Sequence, residues 1–374
     1  MKLIPNTTPI PKEELDDYVV FLCGGGAAGR LQAGYATALA QMGVMEHATM
    51  LSGTSAGGLN TGIFTAFGGT IPGDDPAGDL PNVEPLPPGV EPDVSDIVTP
   101  QDPFLEAITI WEAIQKNSDV YTGSISGLFD KIGAGLGFIF GSDCILNPQP
   151  LYDDLDRIFG KMTLKEASEI FGTEITLTAM DLNTLQETFF TSFDPETQNH
   201  PLALIMKATS AIPAVFKSVP IKMPDGNIHW FVDGGVGANN PFISYTKYDK
   251  VHPEKKINKA IILYCYPDSF TDSGLTITGV EGKKKYKDYR DAILRTLPAM
   301  VNAQEQVTEL IIEDKVKNEG WDIVSYHPKK KPCDPLDFEQ HNLLQQGYDQ
   351  VATGKVYSYR EDAETNIQDF LRKK

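Results

Sequence analysis

The chain has 374 residues, 41% of them hydrophobic and 22% charged, an ordinary globular balance with enough apolar material for a sizeable core. A formal net charge of −19 argues against nucleic acid as a partner, because phosphate neutralisation needs clustered Lys and Arg, and it opposes electrostatic docking on an anionic membrane. No Lys or Arg occurs between Leu31 and Gln115, so any lipid contact in that half is apolar or made by backbone groups.

In chain order, residues 1–17 carry Pro5, Pro9 and Pro11 and no apolar h-region. They read as a polar arm rather than a secretion signal, and the expected compartment is cytoplasmic. No stretch is long enough for a membrane span, so a membrane-surface contact would be transient and made from outside. Residues 18–23 form a short apolar run that ends in glycines, as a buried strand entering a tight turn does. Residues 31–42 have helical character, 48–52 suggest a second strand and 56–67 a second helix. This strand–turn–helix repetition opens a three-layer α/β domain.

Residues 68–103 change character, with nine prolines between Pro72 and Pro103 and no sustained periodicity. They read as an inserted loop. Residues 104–116 resume as a helix, with Leu105, Ile108, Trp111 and Ile114 near one face. The glycine-rich apolar stretch 126–141 suits either a lid or a core helix. Strands are expected at 174–179, 186–192, 229–232, 259–266 and 321–326, and a long amphipathic helix at 288–316. Cys23, Cys144, Cys265 and Cys333 are scattered without ligand spacing, so no metal site of that kind is expected; no cofactor is expected either.

Three glycine motifs carry the chemistry. Gly53-Thr54-Ser55-Ala56-Gly57 fits a nucleophile elbow, a sharp strand-to-helix turn that lifts a serine hydroxyl clear of the backbone. The following helix directs N–H groups and its positive dipole end at developing negative charge. Gly24-Gly25-Gly26-Ala27-Ala28-Gly29 also follows a strand and precedes a helix. Its amides can form an oxyanion hole, but Gly24, Gly26 and Gly29 also satisfy a dinucleotide fingerprint. That alternative lacks the acidic residue expected at the end of the second strand, which runs instead into the elbow. Asp233-Gly234-Gly235 places a carboxylate at a strand end, or is an ordinary Asp-Gly turn.

These motifs, together with residues 208–216 (ATSAIPAVF) and with Asn239, Asn240 and Pro241, resemble the patatin-like phospholipases. The resemblance runs from Val19 to about Ala352, with a weaker echo at 336–347. It implies a three-layer α/β/α fold with a mainly parallel central sheet, in a catalytic domain spanning residues 18–355. Residues 356–374 are left as a C-terminal helix or tail. It implies a lipid acyl hydrolase that cleaves phospholipids or related acyl esters through an acyl-enzyme. By position, Ser55 is the nucleophile and Asp233 the general base. The amides of Gly24, Gly25 and Gly26, with that of Ala56, form the oxyanion hole. Gly29, Gly53, Gly57, Gly234 and Gly235 are motif glycines. The family usually has Arg or Lys where this chain has Ala28; Arg30 is the candidate for that charge. Two competing readings stay open. One is a Ser-Asp-His triad esterase using His327, and the other a non-catalytic lipid-binding or storage protein.

Overall fold

A computed structural model of the chain describes residues 10–67, 108, 110–123, 146–213, 215–267 and 289–372. Among them ten strands form one sheet: β1 (Val19–Leu22), β2 (Met50–Thr54), β3 (Glu174–Asp181), β4 (Gln186–Thr191), β5 (Val219–Lys222), β6 (Ile228–Asp233), β7 (Lys259–Leu263), β8 (Asp322–Tyr326), β9 (Lys355–Ser358) and β10 (Ala363–Asn366). Their order is β10-β9-β8-β7-β1-β2-β3-β6-β5, with β4 paired to β3. The central run β8-β7-β1-β2-β3 is parallel. Strands β4, β5, β6, β9 and β10 join antiparallel.

The central strands are short continuous apolar runs because both faces are covered. Along β1, Val20 and Leu22 enter one core while Val19 and Phe21 enter another. The larger core is closed by α1 (Gly29–Gln41), α2 (Ala56–Phe67), α3 (Gln149–Phe159), α4 (Leu164–Phe171) and α5 (Leu202–Thr209). The smaller core lies under α6 (Tyr245–Val251) and α7 (Tyr289–Asn318), with Phe242, Tyr245, Tyr248, Ile312 and Trp321 against the sheet. The result is a three-layer α/β/α sandwich. Among the described residues no helix is long and apolar enough to cross a membrane.

The C-terminal segment, expected as a helix or tail, instead adds the β9–β10 hairpin to β8 before a short helix, Ile367–Leu371. Residues 10–17 of the expected arm are docked. Ile10 and Leu15 are buried in the larger core, and Asp16 pairs with the buried Lys259 at 2.6 Å. Strand β5 was not legible because Pro220 interrupts its pattern; it survives as an edge strand, where a missing N–H is tolerated. The proline-rich insertion 68–103 and the glycine-rich stretch 126–141 lie outside the described residues. So does most of the helix expected at 104–116, of which 108 and 110–113 are helical.

Candidate active site

Strand β3 brings the two halves of the site together. A strand has two edges, and β4 covers one of them from Thr176 to Asp181. The other edge pairs first with β2, up to Thr54 opposite Thr178. It then pairs with the antiparallel β6, starting with Asp233 opposite Ala179. Strands β2 and β6 therefore meet end to end on one template. Ser55, the residue after β2, has nowhere to stand but beside Asp233. Its Oγ donates a hydrogen bond of 2.6 Å to Asp233 Oδ2.

The turn at Ser55 is strained, with φ at +55°, a region that residues with a side chain seldom adopt. The surroundings hold it there. Ser55 N–H donates to Thr209 Oγ1 at 2.9 Å. Gly57 lies so close to the Leu22 carbonyl oxygen that a Cβ would overlap it. The start of α2 is thereby pressed against the end of β1.

Asp233 is 5% exposed. Its amide donates to Ala211 O at 2.9 Å, and its Oδ1 accepts the Gly235 amide at 2.7 Å. Burial pushes its carboxyl up to about 7, against the opposing pull of the Ser55 and Gly235 hydrogen bonds. An isolated carboxylate near 4 is a poor base for an alcohol; one near 7 is far better matched.

The first glycine loop is fixed from outside. Gly24 N–H donates to Asn239 O at 2.9 Å, so this amide, expected among the oxyanion donors, is already engaged. Tyr266 O–H donates to Gly25 O at 3.1 Å, and Ala27 N–H to Pro335 O at 2.8 Å. Gly26, at φ +54°, presses on the Pro335 carbonyl, where a Cβ would overlap. Among the described residues no protein acceptor takes the Gly25 or Gly26 amide. The Ala56 amide stands in the first turn of α2, where N–H groups have no intrahelical partner. Beneath the loop, Gln32 Nε2 donates to Cys23 O and Leu263 O at 2.9 and 2.8 Å. Asn60 Nδ2 donates to Gly29 O and Gln32 Oε1, and Trp111 Nε1 donates to Asn60 Oδ1. Loop and elbow helix are thus tied by one buried polar network.

Two sequence expectations fail on position. Arg30 is 4% exposed, and its guanidinium is bonded to other chain segments. Its NH2 donates to Trp111 O at 2.6 Å and Ile114 O at 2.5 Å, and its NH1 bonds Gln340 O at 3.1 Å and His341 Nδ1 at 3.0 Å. It clamps two chain segments, 111–114 and 340–341. His327 follows β8, three strands from β2 in the sheet order, or about 14 Å at the usual strand spacing. There it stacks on Tyr264 at 4.1 Å and bonds Ser325 Oγ at 2.9 Å. It is not within reach of the Ser55–Asp233 pair.

Two clefts meet at Ser55. One includes Asp233, Asn239, Val236, Val301 and Pro335 in its walls. The other runs along Leu59 and Ile63 of α2 to Leu151 and Leu155 of α3, past Phe216 and Phe338. Both are bounded by Gly26, Ser55, Ile212 and Leu336. Their largely apolar lining with a few polar groups at Ser55 and Asp233 is the chemistry of small-ligand sites. Thr209 and Pro335 are site residues that sequence reasoning missed. Thr209 lies within the 208–216 stretch already singled out, whereas nothing around Pro335 signalled a contact with the glycine loop.

A family model described as patatin-like phospholipase matches residues 20–244, which contain both Ser55 and Asp233. Among solved structures, VipD from Legionella pneumophila is 12% identical, with a TM-score of 0.35 over 95% of this chain and 68% of that one. No curated protein matches the chain.

Proposed function

Since this chain belongs to the patatin-like phospholipase family, we propose that it is a lipid acyl hydrolase working through Ser55 and Asp233 alone, on phospholipids or related acyl esters. The observation that carries this reading is the 2.6 Å hydrogen bond from Ser55 to a buried carboxylate where two apolar clefts meet.

Ser55 Oγ attacks the ester carbonyl carbon as its proton passes to Asp233. The tetrahedral oxyanion rests on the Gly25 and Gly26 amides and on the Ala56 amide at the start of α2. The carbon–oxygen bond to the alcohol breaks, and Asp233 returns the proton to the departing oxygen. A water then attacks the acyl-serine, passing its proton to Asp233, and Ser55 recovers it as the fatty acid leaves. With Arg30 committed elsewhere and Ala28 uncharged, oxyanion stabilisation falls to the amides and the helix dipole.

The test is hydrolysis of defined oleoyl esters, with fluorophosphonate labelling of the folded protein. Wild type should hydrolyse and be labelled at Ser55, and Ser55→Ala should do neither. Folded wild type that is neither labelled nor active would favour the lipid-binding reading instead.

A further inference from the structure

We infer that Tyr266 is a positioning residue of the oxyanion hole: its hydroxyl latches the Gly25–Gly26 peptide in the orientation that turns the Gly26 N–H towards Ser55. This rests on the acyl-transfer reading above and adds to it a residue outside the three glycine motifs.

The latch follows from the sheet register. Strands β1 and β7 run parallel with Leu22 opposite Leu263, and the Cys23 amide still donates to Leu263 O at 3.0 Å. Carried past the strand ends, that register sets the glycine loop beside Tyr264, Cys265 and Tyr266. Each of the three touches a loop of the site. Tyr264 Oη accepts from Asn240 Nδ2 at 2.8 Å, beyond the Asp233 turn. The Cys265 side chain fills the space where a Cβ on Gly25 would stand. Tyr266 Oη donates to Gly25 O at 3.1 Å.

A trans peptide is planar, with its C=O and N–H pointing in opposite directions. Fixing the Gly25 carbonyl on Tyr266 therefore fixes the Gly26 N–H on the far side, and Gly26 borders both clefts at Ser55. Sterics alone do little to hold this orientation. Close packing forbids a Cβ at Gly25 and at Gly26, and a residue without one accepts positive and negative φ about equally. Gly26 stands at φ +54°, and turning the peptide over would bring it to negative φ at little steric cost. The turned peptide would present the Gly25 carbonyl oxygen, and no N–H, to the developing oxyanion. Inside the loop the Ala28 amide opposes that reversal by donating to Gly25 O at 3.1 Å; Tyr266 is the hold from outside. Burial pushes the Tyr266 hydroxyl well above the ordinary tyrosine range, so it stays a donor throughout the working pH range.

The experiment uses the full chain, 4-nitrophenyl butyrate and an alkyl trifluoromethyl ketone, whose adduct with Ser55 carries the oxyanion. In Tyr266→Phe, kcat should fall about tenfold, the population shift that one neutral hydrogen bond supports, with KM within about twofold of wild type. The pH midpoint should stay near 7, because Asp233 is untouched. The ketone should bind about tenfold more weakly, while the matching trifluoromethyl alcohol, which forms no adduct, should bind as before. Placing 4-aminophenylalanine at position 266 restores a donor and should bring kcat back to within about threefold of wild type. A Tyr266→Phe enzyme that keeps kcat within about threefold overturns the inference, as does an equal loss of ketone and alcohol binding. The wild-type ketone adduct answers without any variant. Its crystal structure should place the oxyanion about 2.7–3.1 Å from Gly26 N, with Tyr266 on Gly25 O. An oxyanion beyond reach of that amide overturns the inference and leaves the acyl-transfer reading standing. Wild type that neither hydrolyses the ester nor takes the ketone at Ser55 brings both down together.

Discussion

Asp181 and Asp233 end neighbouring antiparallel strands, β3 and β6, and both are nearly closed to solvent, at 3% and 5% exposure. Their charges behave oppositely. Burial alone would raise Asp181, but the His229 hydrogen bond at 2.7 Å and donors at Asn183 and Thr184 outweigh it and hold the carboxyl below its usual range. Asp181 also lies under thinner protein cover. Asp233 is deeper, has among the described residues only Ser55 and Gly235 as donors and no cation beside it, and is pushed up to about 7. Among the described residues, the fold sets a histidine against one carboxylate and only neutral donors against the other. The latter is the one that touches a strained serine.

The largest effects should follow that difference. Ser55→Ala and Asp233→Asn should each lower kcat/KM for ester hydrolysis by on the order of 10⁴-fold, as losses of reacting groups do in serine hydrolases. Asp181→Asn should stay within about tenfold of wild type.

Stability should invert the ranking. The folded pKa of Asp233 lies above its unfolded value, so its protonated form is favoured by folding. Stability is full below about pH 4 and is lost as pH rises towards 7. Asp233→Asn should recover on the order of 4 kcal/mol at pH 8 and little at pH 4, read from denaturant melts at both. Asp181 has the opposite sign. Its folded pKa is lowered, so it contributes stability above its unfolded pKa, and that contribution is lost as pH falls through the folded value. Asp181→Asn should therefore destabilise at pH 7, with the effect shrinking in acid.

The pH dependence of kcat/KM is a smaller change. Because Asp233 must be ionised, the rate should rise about tenfold per unit below a midpoint near 7 and then level, roughly a hundredfold between pH 5 and 8. His327→Ala is the smallest. With the ring three strands away, the rate should change less than about threefold, whereas a triad base would cost several orders of magnitude.

Much of this arrangement could be read from the chain because its constraints are local. Apolar runs such as residues 19–22 and 259–263 announce buried strands. The glycines around Ser55 and after Asp233 mark turns that side chains would obstruct. What could not be read depends on distant partners. No local pattern says that β3 is long enough to carry both β2 and β6 on one edge, although that register puts Ser55 beside Asp233. Arg30 looked available because it is near the glycine loop in sequence, yet segments some 80 and 310 residues away claim its guanidinium. Gly24 sits in sequence among the loop amides, yet the distant Asn239 carbonyl takes its N–H. The raised carboxyl of Asp233 is likewise a property of burial, and a residue type alone suggests an ordinary value near 4.

The most direct measurement is the rate of fluorophosphonate attachment, with the modified residue located by mass spectrometry, for wild type and Asp233→Asn between pH 5 and 9. Wild type should be modified at Ser55 with a rate rising through a midpoint near 7, and Asp233→Asn at least a hundredfold more slowly with no such midpoint. Modification at another residue, or an undiminished rate at Ser55 in folded Asp233→Asn, would contradict the account.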